Sequence, residues 1–177
     1  MTRTRKIIFL AILASLASVL SIVDRYISGF IFSTIPGAKI GIANIIILIS
    51  LMNYDFKDTF LLVLLKALIG GLLAFGLTSF IIGGIASFLS FIVMYLLMKL
   101  KKYISIFGIS VAGSLVHTTS QLFTIKFMYG MGNEVFAYGL YLYLIAFISA
   151  IILAVLATYV NKLYMNIYNK KENENKE

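Results

Sequence analysis

Long apolar segments follow one another along almost the whole chain, and this pattern limits the possible folds more than any other feature. They run from Ile7 to Val23, about Ile40 to Met52, Thr59 to Leu77, Phe80 to Met98, Ile104 to about Ile125, and Tyr138 to Val160. A transmembrane helix needs roughly 20 mostly apolar residues, so six spans occupy about 120 positions. The sequence therefore predicts an all-α integral membrane protein. We expect one six-transmembrane-helix bundle over residues 1–165 and a polar cytoplasmic tail over 166–177, disordered from Asn169 onwards.

The composition excludes several classes of function. Hydrophobic residues make up 61% of the 177 residues and charged residues 12%, whereas soluble domains have about 45–50% and about 25%. A soluble globular enzyme is therefore not expected. The chain has no cysteine, which rules out disulfides and thiolate chemistry. The net charge of +8 would suit nucleic acid only on the basic face of a polar domain, so no nucleic-acid partner is expected.

The basic residues are distributed unevenly between the connections. With the N-terminus inside, the inner segments carry 11 of the 15 lysines and arginines, and the outer segments carry Arg25, Lys39 and Lys126. The remaining one, Lys66, falls inside the third span. Because cytoplasmic segments of membrane proteins are enriched in Lys and Arg, this predicts six spans with both termini inside, in a bacterial cytoplasmic membrane.

The second apolar segment is irregular. Ile40 to Met52 would form a helix of roughly 20 Å, which is shorter than a membrane core of about 30 Å. A second short apolar piece, Ile27 to Ile35, precedes it, and Pro36-Gly37 between them marks a turn. A broken or re-entrant element at membrane depth must lie against protein or a water-filled cavity. This connection is the first indication of a binding site.

Polar residues inside apolar segments give the candidate ligand-binding set. Lys66 lies near the middle of its span, where a cation is either functional or salt-bridged to Asp24, Asp55 or Asp58. The sequence leaves both readings open.

His117 and Gln121 are one helical turn apart and share a face. They either bind a ligand or join helices by hydrogen bonds. Asn44 either binds a ligand or satisfies the broken backbone near the turn. One histidine without cysteine or a nearby carboxylate predicts no metal site, and no Gly-x-Ser-x-Gly elbow for a hydrolase occurs.

The first span carries small residues at helical spacing. Ala11 with Ser15 and Ala14 with Ser18 are small-xxx-small pairs, which permit close helix crossings within the chain or with a partner. No Gly-x-x-x-x-Gly-Lys motif for ATP binding occurs. Any ATPase would therefore be a separate subunit, and no cofactor is expected.

Several motifs carry a resemblance to a known family. The run from Pro36 to Asn44 (Pro-Gly-Ala-Lys-Ile-Gly-Ile-Ala-Asn), together with Gly108-Ile109-Ser110, Gly113 and His117-Thr118-Thr119-Ser120-Gln121, resembles the Gx transporter family. This small membrane family is also named heptaprenyl diphosphate synthase component I, and it is similar to the substrate-binding S components of energy-coupling factor uptake systems. The resemblance covers roughly Ile7 to Tyr159. Lys66 stands where the family is expected to have arginine.

The resemblance implies a non-enzymatic subunit that binds a vitamin-like or cofactor-precursor molecule. Lys39, Asn44, Lys66, His117 and Gln121 would contact that ligand, and the two lysines suggest that it carries an anionic group. A separate transmembrane T component and ATPase subunits would drive uptake. The residues expected to dock this partner are those of the first-span face: Ala11, Ala14, Ser15 and Ser18.

Two other hypotheses remain. The second family name implies a membrane subunit associated with heptaprenyl or polyprenyl diphosphate synthesis. That subunit would not be catalytic by itself, because Asp55-x-x-Asp58 lacks the adjacent acid of the Asp-rich motifs that hold magnesium in prenyltransferases. A structural membrane protein whose polar residues only join helices is the third hypothesis.

Overall fold

The computed structural model describes residues 3–31 and 39–174. They form six α-helices and no strand, which agrees with the predicted all-α fold. The helices are α1 (Arg3–Ile31), α2 (Asn44–Asn53), α3 (Phe56–Ala67), α4 (Ala74–Lys99), α5 (Ile106–Tyr129) and α6 (Glu134–Glu174), and a π-helical segment, Leu68–Leu73, joins α3 to α4. The predicted turn at Pro36-Gly37 lies outside the described residues.

Helix α1 is longer than predicted. It does not end at Val23 but continues to Ile31, so that Ile27 to Ile31 are the last turn of α1 rather than part of a separate apolar piece. Asp24 does not mark a boundary, because its carboxylate is buried and accepts hydrogen bonds inside the molecule. Helix α2 begins only at Asn44 and has 10 residues.

The third predicted span is interrupted. Helix α3 ends at Ala67, and after the π-helical segment Gly76 adopts a left-handed, non-helical conformation (φ 80°, ψ −178°) within the first turn of α4. Two glycines permit tight packing here: a Cβ at Gly70 would lie 2.9 Å from the Ser21 Cβ, and one at Gly71 would lie 3.0 Å from the Phe80 Cα. The chain therefore reverses between α3 and α4 while staying in contact with α1.

Helix α6 also extends further than the apolar segment that predicted it. It continues to Glu174, through most of the predicted polar tail. Lysine and glutamate have good helix propensity, and adding turns to an existing helix needs no new nucleus.

Three described helices are long and apolar enough to cross a membrane: Lys6–Ile31, Gly76–Lys99 and Glu134–Leu163. They indicate a membrane-embedded protein. Helix α5 is of similar length, with 24 residues, but it carries the polar run around His117. The count of six spans and the orientation remain predictions.

Helix α5 lies between α4 and α6, and small residues let these helices approach closely. Ser90 Oγ donates to the Gly113 carbonyl at 2.7 Å. Ser110 Oγ and Ser114 Oγ donate to the Ala150 and Ala146 carbonyls of α6 at 2.8 and 3.0 Å. Small residues and serine-to-backbone bonds of this kind are typical of helix contacts in membrane proteins.

Two apolar clusters occupy the two ends of the bundle. One includes Leu13, Ile47, Leu62 and Phe91, near the start of α1 and the end of α4. The other includes Ile40, Ile82, Leu122, Ile125, Val135 and Leu142 at the opposite end. A group of the buried polar residues, among them Asp24, Lys39 and Lys66, forms the candidate site.

Candidate functional site: a buried cationic cluster

The five predicted ligand-binding residues lie together and are all buried. Lys39 belongs to the connection before α2, Asn44 begins α2, Lys66 is on α3, and His117 and Gln121 are on α5. Hydrogen bonds connect them to one another or to shared neighbours. We refer to these five residues, with Asp24 and Ser87, as the cationic cluster.

Lys66 bonds to uncharged acceptors. Its Nζ donates to Asn44 Oδ1 and to Ser87 Oγ, both at 3.1 Å. Asp55 and Asp58, two of its possible salt-bridge partners, instead pair with Lys6 Nζ at 3.9 and 2.6 Å. Among the described residues Lys66 has no ion pair within 4.0 Å, so its ammonium is buried without a carboxylate in contact.

Asp24, which sequence reasoning left out of the site, holds the backbone that enters α2. Its Oδ2 accepts from the Gly41 and Ile42 amides at 2.9 and 3.2 Å, and its Oδ1 accepts from Ser28 Oγ at 3.1 Å. Ser28 Oγ in turn accepts from the Ile40 amide at 3.0 Å. The spacing of Asp24 and Ser28, four residues apart on one helix face, is the signal that could have identified them.

Gly41 makes the cluster compact. Its φ of 92° is in the left-handed region, which glycine adopts without steric cost. A Cβ here would lie 3.0 Å from Asn44 Nδ2 and 3.4 Å from His117 Cδ2. A residue with a side chain would therefore push these two groups apart. Asn44 Nδ2 is buried and has no hydrogen-bond partner among the described residues.

Helix α5 contributes a polar pair to the cluster. His117 Nε2 and Gln121 Nε2 are 3.1 Å apart, as their one-turn spacing predicts. Gln121 Oε1 accepts from the Lys39 amide at 3.2 Å, which ties α5 to the connection before α2. The pair therefore positions Lys39 as well as His117.

Lys39 lies against α4. Its Nζ is 3.2 Å from the position that a Cβ on Gly83 would occupy, so the absence of a side chain there makes room for the ammonium. Burial, and then the nearby Arg25 guanidinium, lower the pKa of Lys39 to about 8, while Asp24 opposes this shift. Arg25 Nη1 itself donates to Ser79 Oγ.

Five residues of the cluster line a small cavity: Asp24, Lys39, Lys66, Ser87 and His117. Its volume is about 10 Å³, which is roughly the room needed by one water molecule. Charged and polar residues form part of its wall, and the rest is built from small residues: Gly41, Ala43, Ala67, Gly71, Gly83 and Gly84. Lys39, Lys66 and Asp24 together carry a formal charge of +1. A ligand larger than water therefore requires the surrounding helices to move apart.

Of the four residues predicted to dock a partner on α1, two are buried and two are exposed. Ala14 and Ser18 are buried within the bundle, where Ser18 Oγ donates to the Ala14 carbonyl at 2.8 Å, so they pack inside this chain and are not available to a partner. Ala11 and Ser15 are exposed and lie in a shallow apolar groove with Ile8, Ile12, Leu16 and Val19.

The helical architecture and the three long apolar helices define an all-α protein of membrane type. The model of the family described as heptaprenyl diphosphate synthase component I matches residues 13–160. The chain belongs to this family, which is the family that its sequence motifs resemble. The name of the family implies a second component. Comparison with curated proteins and with solved structures gives no match.

Proposed function

We propose that this chain is a non-enzymatic, membrane-embedded binding subunit that holds a small molecule with an anionic group at the cationic cluster. The observation that carries the proposal is the environment of Lys66, a buried ammonium whose hydrogen bonds go to a side-chain amide and a hydroxyl. A buried charge is costly unless it is paired, and a bound anion would provide the pairing. The buried Asn44 Nδ2 would be a further donor.

In this proposal the chain acts like an S component of an energy-coupling factor transporter. Six spans with both termini inside would place the connection between α1 and α2 at the outer surface of a bacterial cytoplasmic membrane. A transmembrane T component and ATPase subunits would act with it. The exposed Ala11 and Ser15 support a helix contact on α1, because small residues let a partner helix approach closely.

The second candidate function is a non-catalytic membrane subunit associated with heptaprenyl or polyprenyl diphosphate synthesis. The family match supports it, since the family carries the name of component I of that synthase. This role predicts that a soluble prenyl diphosphate synthase co-purifies with the chain and that its prenyl transfer increases in the presence of the chain.

The test is mass spectrometry of small molecules that co-purify with the chain in detergent. We expect an anionic metabolite with the native protein and its loss from Lys66→Met and His117→Ala. Lys101→Met, which removes an exposed lysine outside the bundle, is the matched control and should retain the metabolite. Thermal unfolding of every variant shows whether a loss reflects unfolding.

The outcomes separate the candidate functions. A metabolite that is present equally in the native chain and in Lys66→Met would contradict an anion site at the cluster. Increased prenyl transfer without a water-soluble ligand would favour the synthase-associated role. If no ligand is found and both cluster variants unfold, the polar residues serve only to join helices.

A further inference from the structure

An apolar groove lies between α3 and α4, directly beside the cationic cluster. Its volume is about 370 Å³, within the range of about 300–1,000 Å³ typical of ligand pockets. From Phe60 to Ala67 it extends roughly 10 Å along α3, at 1.5 Å per residue. Its walls are apolar and include Phe60, Leu64, Ala67, Gly84, Ile85 and Phe88. The larger of these side chains are exposed on the outside of the bundle, so the groove opens towards the surrounding lipid.

The groove and the central cavity share part of their walls. Ala67 and Gly84 line both, and a Cβ on Gly84 would lie 3.8 Å from the Ala67 Cβ. Between the groove and the cavity, the Ala67 methyl group therefore faces only the α-hydrogen of Gly84. Lys66 precedes Ala67 along α3, and its partner Ser87 follows Gly84 by one helical turn on α4. Only the small residues Ala67 and Gly84 therefore separate the groove from the cavity that Lys66 lines.

The charges around the cavity favour a doubly charged anion. Lys39 and Lys66 line the cavity, and Arg25 donates to Ser79, which also lines it. Against these three cations stands Asp24, so the formal charge is +2. A phosphate monoester carries about −1.5 to −2 at neutral pH. Its charge therefore matches this set more closely than that of a single carboxylate.

We infer that the ligand of this chain is a single-chain phosphate amphiphile, with its phosphate at Lys66 and Lys39 and its apolar chain in the groove between α3 and α4. This inference rests on the proposed function and narrows its ligand class. The phosphate enters between Ala67 and Gly84. It replaces Asn44 and Ser87 as the hydrogen-bond acceptor of the Lys66 ammonium, and it also accepts a hydrogen bond from Asn44 Nδ2. The ligand reaches the site from the membrane and not only from water.

The probe is dodecyl phosphate labelled with ³²P, added to the full chain in phosphatidylcholine nanodiscs, with empty nanodiscs as the blank. We expect saturable retention above the blank at about one probe per chain, and inorganic phosphate should compete only at a concentration about tenfold higher or more. Lys66→Met should weaken retention about tenfold or more, because it removes a hydrogen-bonded charge partner. Gly84→Val should weaken it by a similar factor, because it fills the shared wall.

The control is Gly29→Val, since a Cβ at Gly29 meets nothing within 4 Å and the residue lies outside the cluster and the groove. If Gly84→Val lowers the unfolding temperature, Phe88→Ala replaces it, because it removes a groove wall from an exposed position. Phe88→Ala, which lies in the groove and not in the wall of the central cavity, should leave binding of inorganic phosphate within about twofold.

Three results would overturn the inference. One such result is that inorganic phosphate competes as well as dodecyl phosphate and that its binding depends on Lys66. The alkyl chain of the probe would then contribute nothing to binding, but the anion site of the proposed function would stand. If retention is unchanged in Lys66→Met and Gly84→Val, the probe only partitions into lipid. If nothing is retained above the blank, the amphiphile is excluded, and the metabolite test alone decides the proposed function.

Discussion

Replacing Asp24 tests whether its carboxylate holds the backbone or balances the lysines. Asp24→Asn and Asp24→Leu both remove the negative charge at similar side-chain size. Only asparagine keeps an oxygen that can accept from the Gly41 and Ile42 amides, which now bond to Oδ2 at 2.9 and 3.2 Å. If the carboxylate mainly holds the backbone, leucine should therefore destabilise the protein considerably more than asparagine.

The size of the difference follows from the hydrogen bonds. A buried donor left without an acceptor costs about 1–3 kcal/mol. Leucine leaves two such amides, one buried and one partly buried, so it should unfold more easily than asparagine by about 2–4 kcal/mol. In a chain of this length each kcal/mol lowers the unfolding temperature by about 2–4 °C, which predicts a difference of about 4–16 °C.

Thermal unfolding in detergent, followed by circular dichroism, measures this difference. The matched control is the pair Asp55→Asn and Asp55→Leu, because Asp55 is exposed and makes no side-chain capping bond at α3. The two control variants should unfold within about 0.5 kcal/mol of each other. Equal losses for Asp24→Asn and Asp24→Leu would refute the reasoning and assign to Asp24 the role of counter-ion for Lys66 and Lys39.

Three further predictions concern the site and the orientation of the chain. Gly41→Ala should cost about 1–3 kcal/mol, because alanine at φ 92° is strained and its Cβ meets the edge of His117; unchanged unfolding would contradict this. Because the chain has no cysteine, Asn133→Cys should react with an impermeant maleimide on intact cells and Lys101→Cys only after permeabilisation, and the reverse pattern would overturn the predicted orientation. Binding of phosphate should weaken as the pH rises through about 8, where buried Lys39 loses its proton. Lys39→Arg should reduce this loss of binding, because arginine keeps its charge. The same pH profile for the native chain and the variant would show that Lys39 does not contact the anion.

The sequence predicted the presence of the helices better than their boundaries, and the five polar residues that it selected are buried together. Hydropathy located every helix, and one-turn spacing placed His117 beside Gln121. The interruption between α3 and α4 was not predicted, because Leu68–Leu73 is as apolar as its neighbours. In this segment Gly70 packs closely on Ser21 of α1, and such a tertiary contact cannot be derived from hydropathy.

The two small-residue pairs on α1 show a similar limit. Ala11 with Ser15 and Ala14 with Ser18 have the same spacing, so local sequence gives no reason to prefer one as the internal face. Which pair faces inwards depends on how α1 is rotated about its own axis. In the structure Gly70 packs against the side of α1 that carries Ser18, and a Cβ on Gly70 would lie 3.4 Å from the Ser18 carbonyl oxygen. Only the pair on that side is buried.

A longer pattern on α1 does contain the missing information. Ala14, Ser18, Ser21, Asp24 and Ser28 follow one another at intervals of three or four residues, and all five are buried. This is the spacing of one helix face, and it continues past Val23 without a break. A charged residue in register with such a face is more consistent with the interior of a bundle than with the end of a span. Asp24 should therefore be assigned to the site, because the same face that packs α1 against the bundle also holds the backbone beside Lys39.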